Sequence, residues 1–295
     1  MRHSPETLLK IIVLLLWTSL LASAQAPSNE GIDTSQPTGI TADEIIRKFT
    51  EKEKAFAKAR NNYVYRRSVK IDTFDDNGSF NGEYQEVVDI TYNDKGIARE
   101  NVVFSPQNTI TNLGFTQEDF DDIRKRYPFV LTSDDVTAYQ VLYVGKQKID
   151  EIDTYVFDIA PKHLEKNERK FQGRIWVDQQ DLQIVKTHGK PAYLVPEKWI
   201  KHPEDMQLFP TFTTYREQID GKYWFPTYVK ADEVLHFPGD PKHKQFPQDV
   251  RIKMVVKYTD YKYFGSSFKI QVADENGKPV DDKRPTPPPD PTKRK

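Results

Sequence analysis

The sequence predicts a mainly β protein of the α+β class, in which two or three helices cover a strongly curved antiparallel sheet. Segments that alternate apolar and polar residues recur along the chain, and Asn-, Asp- and Gly-rich turns separate them at about ten-residue spacing. Aromatic residues are abundant for so polar a chain, with 17 Phe, 15 Tyr and 4 Trp, and they supply buried area for a β domain. Two other segments follow helical spacing.

The first predicted helix begins behind Thr41. Thr41 and Glu44 have the spacing of a capping box, in which each side chain satisfies a free backbone N–H of the other residue. The apolar residues that follow near helical spacing are Ile45, Ile46, Phe49 and Phe56. Asn61-Asn62 ends the helix.

The next elements form an antiparallel meander. We predict strands over 63–74, 84–92 and 97–104, with turns at Asp76-Asn77-Gly78 and over 93–96. Asn, Asp and Gly favour such turns because they tolerate the backbone angles that tight hairpins require.

A second helix interrupts the meander, from the cap Thr116 to Tyr127, and Pro128 ends it. The acidic cluster at 118–122 lies in the first turn of this helix. Negative charge there complements the helix dipole, so capping explains the cluster better than catalysis.

Strand patterns then resume and complete the sheet. The predicted segments are 136–146, 154–159, 171–178, 183–187, 211–219, 223–235 and 250–264. Asp220-Gly221 makes the tightest hairpin turn among them, and the proline-rich stretch 191–210 is predicted to be a structured loop. A sheet of about eleven antiparallel strands must curl or close to protect its edges. We therefore expect an incomplete β-barrel with an apolar mouth, a shape suited to an apolar ligand.

Residues 1–24 have the three parts of a secretory signal peptide. Arg2 and Lys10 give a basic start, an apolar run covers 11–21, and Ala22-Ser23-Ala24 supplies small residues for cleavage. The apolar run is shorter than the roughly 20 residues of a permanent membrane span. Cleavage after Ala26 is the alternative site, and an uncleaved N-terminal anchor is the alternative fate.

The remaining chain divides into three parts. We predict a flexible segment over 25–40, a single domain over 41–272, and a disordered proline-rich tail over 273–295. The tail is dense in proline and charge, so it cannot bury enough apolar surface to offset its ordering entropy. No segment after the signal is apolar enough to be an integral membrane span.

Composition excludes several classes of function. The net charge of −1 lacks the basic excess of a nucleic-acid-binding protein. The absence of cysteine excludes disulfides and thiolate chemistry. No nucleophile elbow, phosphate loop or zinc-protease motif is present, and no cofactor is expected. A pair of carboxylates for glycoside cleavage needs only closeness in space, so a hydrolase stays open.

One histidine pair suggests a metal site. His236, Asp240 and His243 lie within eight residues of each other, in a loop that carries two prolines and a glycine. Metal ligands must converge on one point, which this loop permits without specifying. We interpret it as a surface turn and predict no metal.

Four segments carry a family resemblance. The stretches at 145–150, 154–162, 174–178 and 219–226 contain a glycine-bounded strand, a Y-x-F strand that ends in Pro-Lys, and two hairpins. They resemble the outer-membrane lipoprotein carrier (LolA/LolB-like) superfamily. The resemblance implies an incomplete β-barrel covered by helices, a hydrophobic cavity for acyl chains and a periplasmic, non-enzymatic role.

The predicted cavity lining consists of apolar and aromatic residues on the central and last strands. They are Val141, Tyr143, Tyr155, Phe157, Ile175, Val177, Tyr261 and Tyr263. Ordinary core packing is the alternative interpretation of the same side chains. The expected function is a periplasmic carrier or binding protein whose partner is a lipid, an acylated protein or an envelope protein. An envelope interaction or sensor module and a secreted hydrolase are the alternatives.

Overall fold

The computed structural model describes residues 29, 31–93, 97–194, 207–237 and 247–264, together with the backbone of 272–273 and 279–280. The predicted signal peptide, the region 195–206 within the predicted loop, and the Asp240 and His243 side chains lie outside the described residues.

The core of the structure is one antiparallel sheet of ten strands. In chain order they are β1 Tyr63–Phe74, β2 Phe80–Tyr92, β3 Ala98–Phe104, β4 Tyr139–Ile149, β5 Ile152–Pro161, β6 Arg169–Asp178, β7 Ile184–Tyr193, β8 Phe212–Ile219, β9 Tyr223–Phe237 and β10 Gln248–Tyr263. The order across the sheet is β3-β2-β1-β10-β9-β8-β7-β6-β5-β4. The sheet does not close into a barrel, and two-residue strands β11 Val272–Ala273 and β12 Pro279–Val280 pair separately. The predicted mainly β, antiparallel fold with helices is confirmed.

The helices follow the predicted caps. Helix α1 spans Ala42–Arg60, and the hydroxyl of Thr41 accepts a hydrogen bond from the Glu44 N–H at 3.2 Å. Helix α2 is short, Gln117–Asp121, and Thr116 and Asp119 form a complete capping box at its start. The chain continues as a π-helical turn over Asp122–Arg126.

At two of the predicted boundaries the structure differs for a clear physical reason. The strand expected from Val136 begins at Tyr139, because a 3₁₀ turn, Val136–Ala138, comes first. The hydroxyl of Thr132 donates to the Asp135 carboxylate at 2.6 Å and favours that turn. Pro191, expected in a loop, lies in β7 opposite Phe171. Strand β7 pairs with β8 only from Lys186 to Gly189, and beyond that point a residue without an N–H loses no bond on that side.

The sheet curves around α1 and around residues 117–131, here called the plug. The rings of Phe49 on α1 and Phe157 on β5 are 5.7 Å apart. In the plug, Arg124 binds Glu100 on edge strand β3 at 3.0 Å, and Phe129 contacts Tyr139 on edge strand β4, with ring centroids 6.1 Å apart. One short segment therefore reaches both edges of the sheet, which requires a curved sheet. We call the side that faces α1 and the plug the inner face.

The N-terminal segment lies against edge strand β4. The backbones of Asp33 and Lys146 exchange hydrogen bonds of 2.9 and 2.8 Å. Ile32 packs against an outer-face cluster that contains Val156 and Trp176. The described part of the predicted flexible segment 25–40 thus covers one sheet edge.

Candidate functional site

Three inner-face side chains hold the plug by its backbone. The hydroxyls of Thr214 and Tyr258 donate to the carbonyls of Tyr127, at 2.7 Å, and Ile123, at 3.4 Å. Arg216 donates to the carbonyl of Phe129. These bonds supply partners for carbonyl groups that burial would otherwise leave unpaired, and they fix the plug against strands β8 and β10.

A buried ion pair holds α1 to the same face. Arg216 donates to both carboxylate oxygens of Glu53, at 3.1 and 3.2 Å, and the N–H of Ile184 also donates to Glu53, at 3.2 Å. Burial raises the pKa of the Glu53 carboxyl above its usual value, while the attraction of Arg216 opposes that rise. Removal of either partner would leave the other charge buried and unpaired, which is strongly unfavourable.

A cleft opens between the end of α1, the plug and the starts of β4 and β6. Its volume is about 420 Å³. Its aromatic floor consists of Phe129, Tyr139 and Phe171, and the rings of Phe129 and Phe171 stack at 4.4 Å. Ala57 of α1 forms part of one wall. The cleft therefore offers apolar surface beneath an opening to solvent.

Charged side chains surround this floor. They are Arg60, Lys125, Arg126, Asp135, Arg169 and Lys170. Asp122, which is buried, binds both Arg126 and Arg169 and thereby joins the plug to the start of β6. The Arg169 guanidinium also lies 4.2 Å from the ring centroid of Phe209, a favourable cation–π contact. The rim of the cleft is thus an ordered charged network above an aromatic floor.

Two glycines shape the wall behind Phe171. A Cβ on Gly173 would lie 2.2 Å from the carbonyl oxygen of His188, and a Cβ on Gly189 would lie 2.7 Å from the Phe171 ring. The two strands therefore approach closely at this point, and the Phe171 ring lies over backbone. A larger residue at Gly173 or Gly189 would therefore displace the Phe171 ring from the floor of the cleft.

The structure brings six of the eight predicted lining residues onto one face of β4, β5 and β6. Tyr143, Phe157 and Ile175 are cross-strand neighbours, and Val141, Tyr155 and Val177 lie in the same core cluster. Phe157 is 0 % exposed, because α1 covers it. None of the eight borders the cleft. The cleft instead continues the same face, since Tyr139 precedes Val141 on β4 and Phe171 precedes Ile175 on β6.

The other two predicted residues lie elsewhere on the inner face. Tyr261 and Tyr263 belong to β10, which three strands separate from β6. Tyr261 packs among Tyr65 and Phe225, and its hydroxyl donates to the carbonyl of Pro226. Tyr263 is 62 % exposed.

Sequence reasoning missed the charged residues of the site. Arg60, Arg126 and Arg169 come from separate segments, and no local pattern unites them. One signal was available for Arg216: it alternates with Phe212 and Thr214, both of which are buried. A charged residue in register with a buried strand face predicts a buried partner.

No group of three His, Asp or Glu side chains in the described ranges is placed to hold a metal ion. His236 binds the carboxylate of Asp249 at 2.8 Å.

Among the helices that the structure describes, none is long and apolar enough to cross a membrane.

Comparison with known proteins finds similarity in solved structures alone. No protein-family model and no curated protein sequence matches the chain. A DUF1329 family protein from Desulfovibrio piger is 13% identical, over 79% of this chain and 95% of that chain, with a TM-score of 0.35. A LolA superfamily protein from Nitrosomonas europaea is 13% identical, over 76% and 94%, with a TM-score of 0.32.

A third similar structure is an outer membrane lipoprotein-sorting protein domain from Vibrio parahaemolyticus. It is 11% identical, over 74% of this chain and 93% of that chain, with a TM-score of 0.32. The chain is thus similar in structure to these three proteins. At these identities and TM-scores the similarity concerns the fold alone.

Proposed function

We propose that this chain is an exported, non-enzymatic envelope protein that holds an acyl chain of a lipid or of a lipidated protein. The observation that carries the proposal is the cleft of about 420 Å³ over the aromatic floor of Phe129, Tyr139 and Phe171. Its volume lies within the range of about 300–1,000 Å³ that is usual for ligand pockets. Burial of hydrocarbon stabilises the bound state by about 0.8 kcal/mol per CH₂ group.

A long acyl chain would extend beyond the cleft along the inner face. Beyond the floor of the cleft, the chain would first meet Val141 on β4 and Ile175 on β6. The residues that follow on this face are Tyr143, Phe157, Tyr155 and Val177. Helix α1 covers this path through the contact of Phe49 with Phe157. Occupation of the whole path therefore requires α1 to move away, and Tyr261 and Tyr263 would border the space that α1 leaves.

The proposed location follows from the N-terminal sequence. The basic start, short apolar run and small residues of 1–24 are those of a cleaved export signal. Export would place the cleft in the envelope, where lipids and acylated proteins are the apolar ligands at hand.

An envelope interaction or sensor module is the second candidate. It is favoured by the filled inner face, since Phe157, Ile175 and Val177 are fully buried. Edge strand β3 also exposes Val102, Val103 and Phe104, and an uncovered strand edge can pair with a partner. For the secreted hydrolase, the described residues of the cleft lining supply one carboxylate, Asp135, where glycoside cleavage usually uses two.

Titration with a fluorescent fatty-acyl probe tests the proposal. Ala57→Trp would fill the cleft from its α1 wall, and we expect it to weaken binding of the probe at least tenfold. Ala55→Trp is the matched control, because Ala55 is exposed on the same helix, about 200° around its axis from Ala57. Equal binding by wild type and both variants would place the ligand outside the cleft. Lack of binding by wild type would favour the interaction module.

A further inference from the structure

We infer that the cleft selects amphiphiles with an anionic head group, and that Arg60 is the residue that binds this head. The inference rests on the proposed acyl-binding function and assigns the ligand class: a single-chain amphiphile that ends in a carboxylate or phosphate. The shared chemistry is an oxyanion attached to hydrocarbon.

Four of the five cations around the cleft already have carboxylate partners. Lys125 binds Asp121 at 2.9 Å, and Lys170 binds Glu168 at 3.1 Å. Arg126 and Arg169 both bind Asp122, and Arg169 also binds Asp119 at 2.8 Å. Each of these four cations therefore has a carboxylate partner that offsets its charge, and the pairs of Arg169 also hold the plug to β6.

Arg60 differs from the other four. Within the described part of the chain it has no carboxylate partner, and its guanidinium carbon lies 5.9 Å from the ring centroid of Phe56. Its place in the last turn of α1 is favourable to any cation, and Lys58 shares that benefit at an exposed position. Arg60, in contrast, is half-buried and borders the cleft.

Most of the groups that the charge of Arg60 reaches are phenols, and the one carboxyl that it lowers the pKa of, Glu53, is already bound by Arg216. Burial raises the pKa of Tyr65, Tyr92 and Tyr258, and in each case the positive charge of Arg60 acts in the opposite direction. These rings come from three strands, so the charge of Arg60 reaches well into the inner face. An anion placed beside it would meet a cation, and the neighbouring phenols are neutral.

The one carboxylate of the lining lies away from Arg60 along the helix. The backbone N–H of Ser133 donates to the carbonyl of Thr50 at 3.1 Å, and Lys54 binds Asp134 at 2.8 Å. Asp135 therefore lies beside the middle of α1. Arg60 is six residues beyond Lys54, which is about 9 Å along the helix axis. A negative head group is repelled at one end of the cleft and attracted at the other, with its hydrocarbon over the floor between them.

The experiment compares matched ligands by calorimetry below their critical micelle concentrations. The ligands are palmitate, the neutral monopalmitoyl glycerol and inorganic phosphate, each added to the full chain. We expect palmitate to bind about tenfold more tightly than monopalmitoyl glycerol, which corresponds to about 1.4 kcal/mol, and inorganic phosphate not to bind measurably.

Substitutions then assign the effect to Arg60. Arg60→Gln should bring palmitate affinity down to that of monopalmitoyl glycerol and leave the neutral ligand unchanged. Arg60→Lys should retain part of the preference, because Lys keeps the charge but loses the forked guanidinium. Lys58→Gln is the control on the same helix turn, and it should retain the full preference. Thermal unfolding of each variant checks that the fold is intact.

The outcomes distinguish head-group selection and the assignment to Arg60 from the proposed acyl-binding function. Equal binding of palmitate and monopalmitoyl glycerol by wild type would overturn head-group selection and leave acyl binding standing. A preference for palmitate that survives in Arg60→Gln would overturn the assignment to Arg60. Binding of phosphate alone would show an oxyanion site that is independent of any acyl chain, and failure of both palmitoyl ligands would overturn the proposed function itself.

Discussion

Arg216 and Glu53 form an ion pair that joins strand β8 to helix α1 across the inner face. Their side chains are 1 % and 0 % exposed, and the two residues are 163 positions apart in the sequence. Desolvation makes such a pair a weak source of net stability, but it makes the loss of one partner costly. The pair thus holds α1 over the inner face. The cleft continues this face at one end.

Glu53→Ala should lower the free energy of unfolding by about 3–5 kcal/mol, because it leaves Arg216 buried without its counter-ion. The double variant Glu53→Leu with Arg216→Met should lose less than Glu53→Ala, since apolar residues of similar volume can replace a buried pair. Urea unfolding followed by circular dichroism measures both. Lys54→Ala breaks the exposed Lys54–Asp134 pair and should change stability by less than about 1 kcal/mol. A double variant that is less stable than Glu53→Ala would contradict the claim that the unpaired charge of Arg216 causes the loss of stability.

Gly173→Ala should destabilise the protein by about 1–3 kcal/mol, the usual range for overpacking. The added Cβ would lie 2.2 Å from the carbonyl oxygen of His188, so β6 and β7 must separate beside the Phe171 ring. Gly114→Ala is the control, because a Cβ there would meet nothing within 4 Å. Equal thermal midpoints for the two variants would show that the close approach of β6 and β7 is not required.

His188 should make stability fall as the solution becomes acidic. Burial, with the positive charge of Lys186 acting in the same direction, holds the pKa of His188 below its usual 6.5. Below about pH 6.5 the unfolded chain therefore binds a proton that the folded chain resists, and acidification favours unfolding. This contribution is present above pH 6.5 and is lost as the pH falls towards the lowered folded value.

The test is urea unfolding of wild type and His188→Asn at pH 7.5 and 5.5. Wild type should lose more stability between the two pH values than His188→Asn does, while His163→Asn, at an exposed position, should behave like wild type. An identical pH dependence in all three proteins would be inconsistent with a lowered His188 pKa.

Export predicts a shortened N-terminus. When the full chain is produced in a bacterial host, the protein recovered from the periplasm should begin at Gln25, and intact-mass measurement identifies that start. A protein that begins at Pro27 would assign cleavage to the alternative site after Ala26, and retention of Met1 with membrane association would support the uncleaved anchor instead.

Much of the fold could be predicted because its signals are local. The alternation in β1, the turn at Asp76-Asn77-Gly78 and the cap at Thr116 each act within a few residues. The apolar face of β5 and β6 was also predictable, since side chains alternate across a strand.

The site could not be predicted in the same way, because it depends on contacts between distant segments. The partner of Arg216 lies on the first helix, and the floor of the cleft combines Phe129 with Tyr139 and Phe171 from two strands. The boundary at Tyr139 was missed for a different, local reason, because the bond from Thr132 to Asp135 favours a 3₁₀ turn where the alternation predicted a strand. Local patterns predict which face of a strand is buried, but not which end of that face stays open.

Mass spectrometry of lipid extracted from the gently purified full chain tests acyl binding without any added ligand. We expect a single-chain acyl species, or a lipid with a chain that fits the cleft, at about one molecule per protein, with much less recovered from Ala57→Trp. A protein that yields no lipid, and that also takes up no fluorescent acyl probe, would contradict acyl binding and leave the interaction module as the function to pursue.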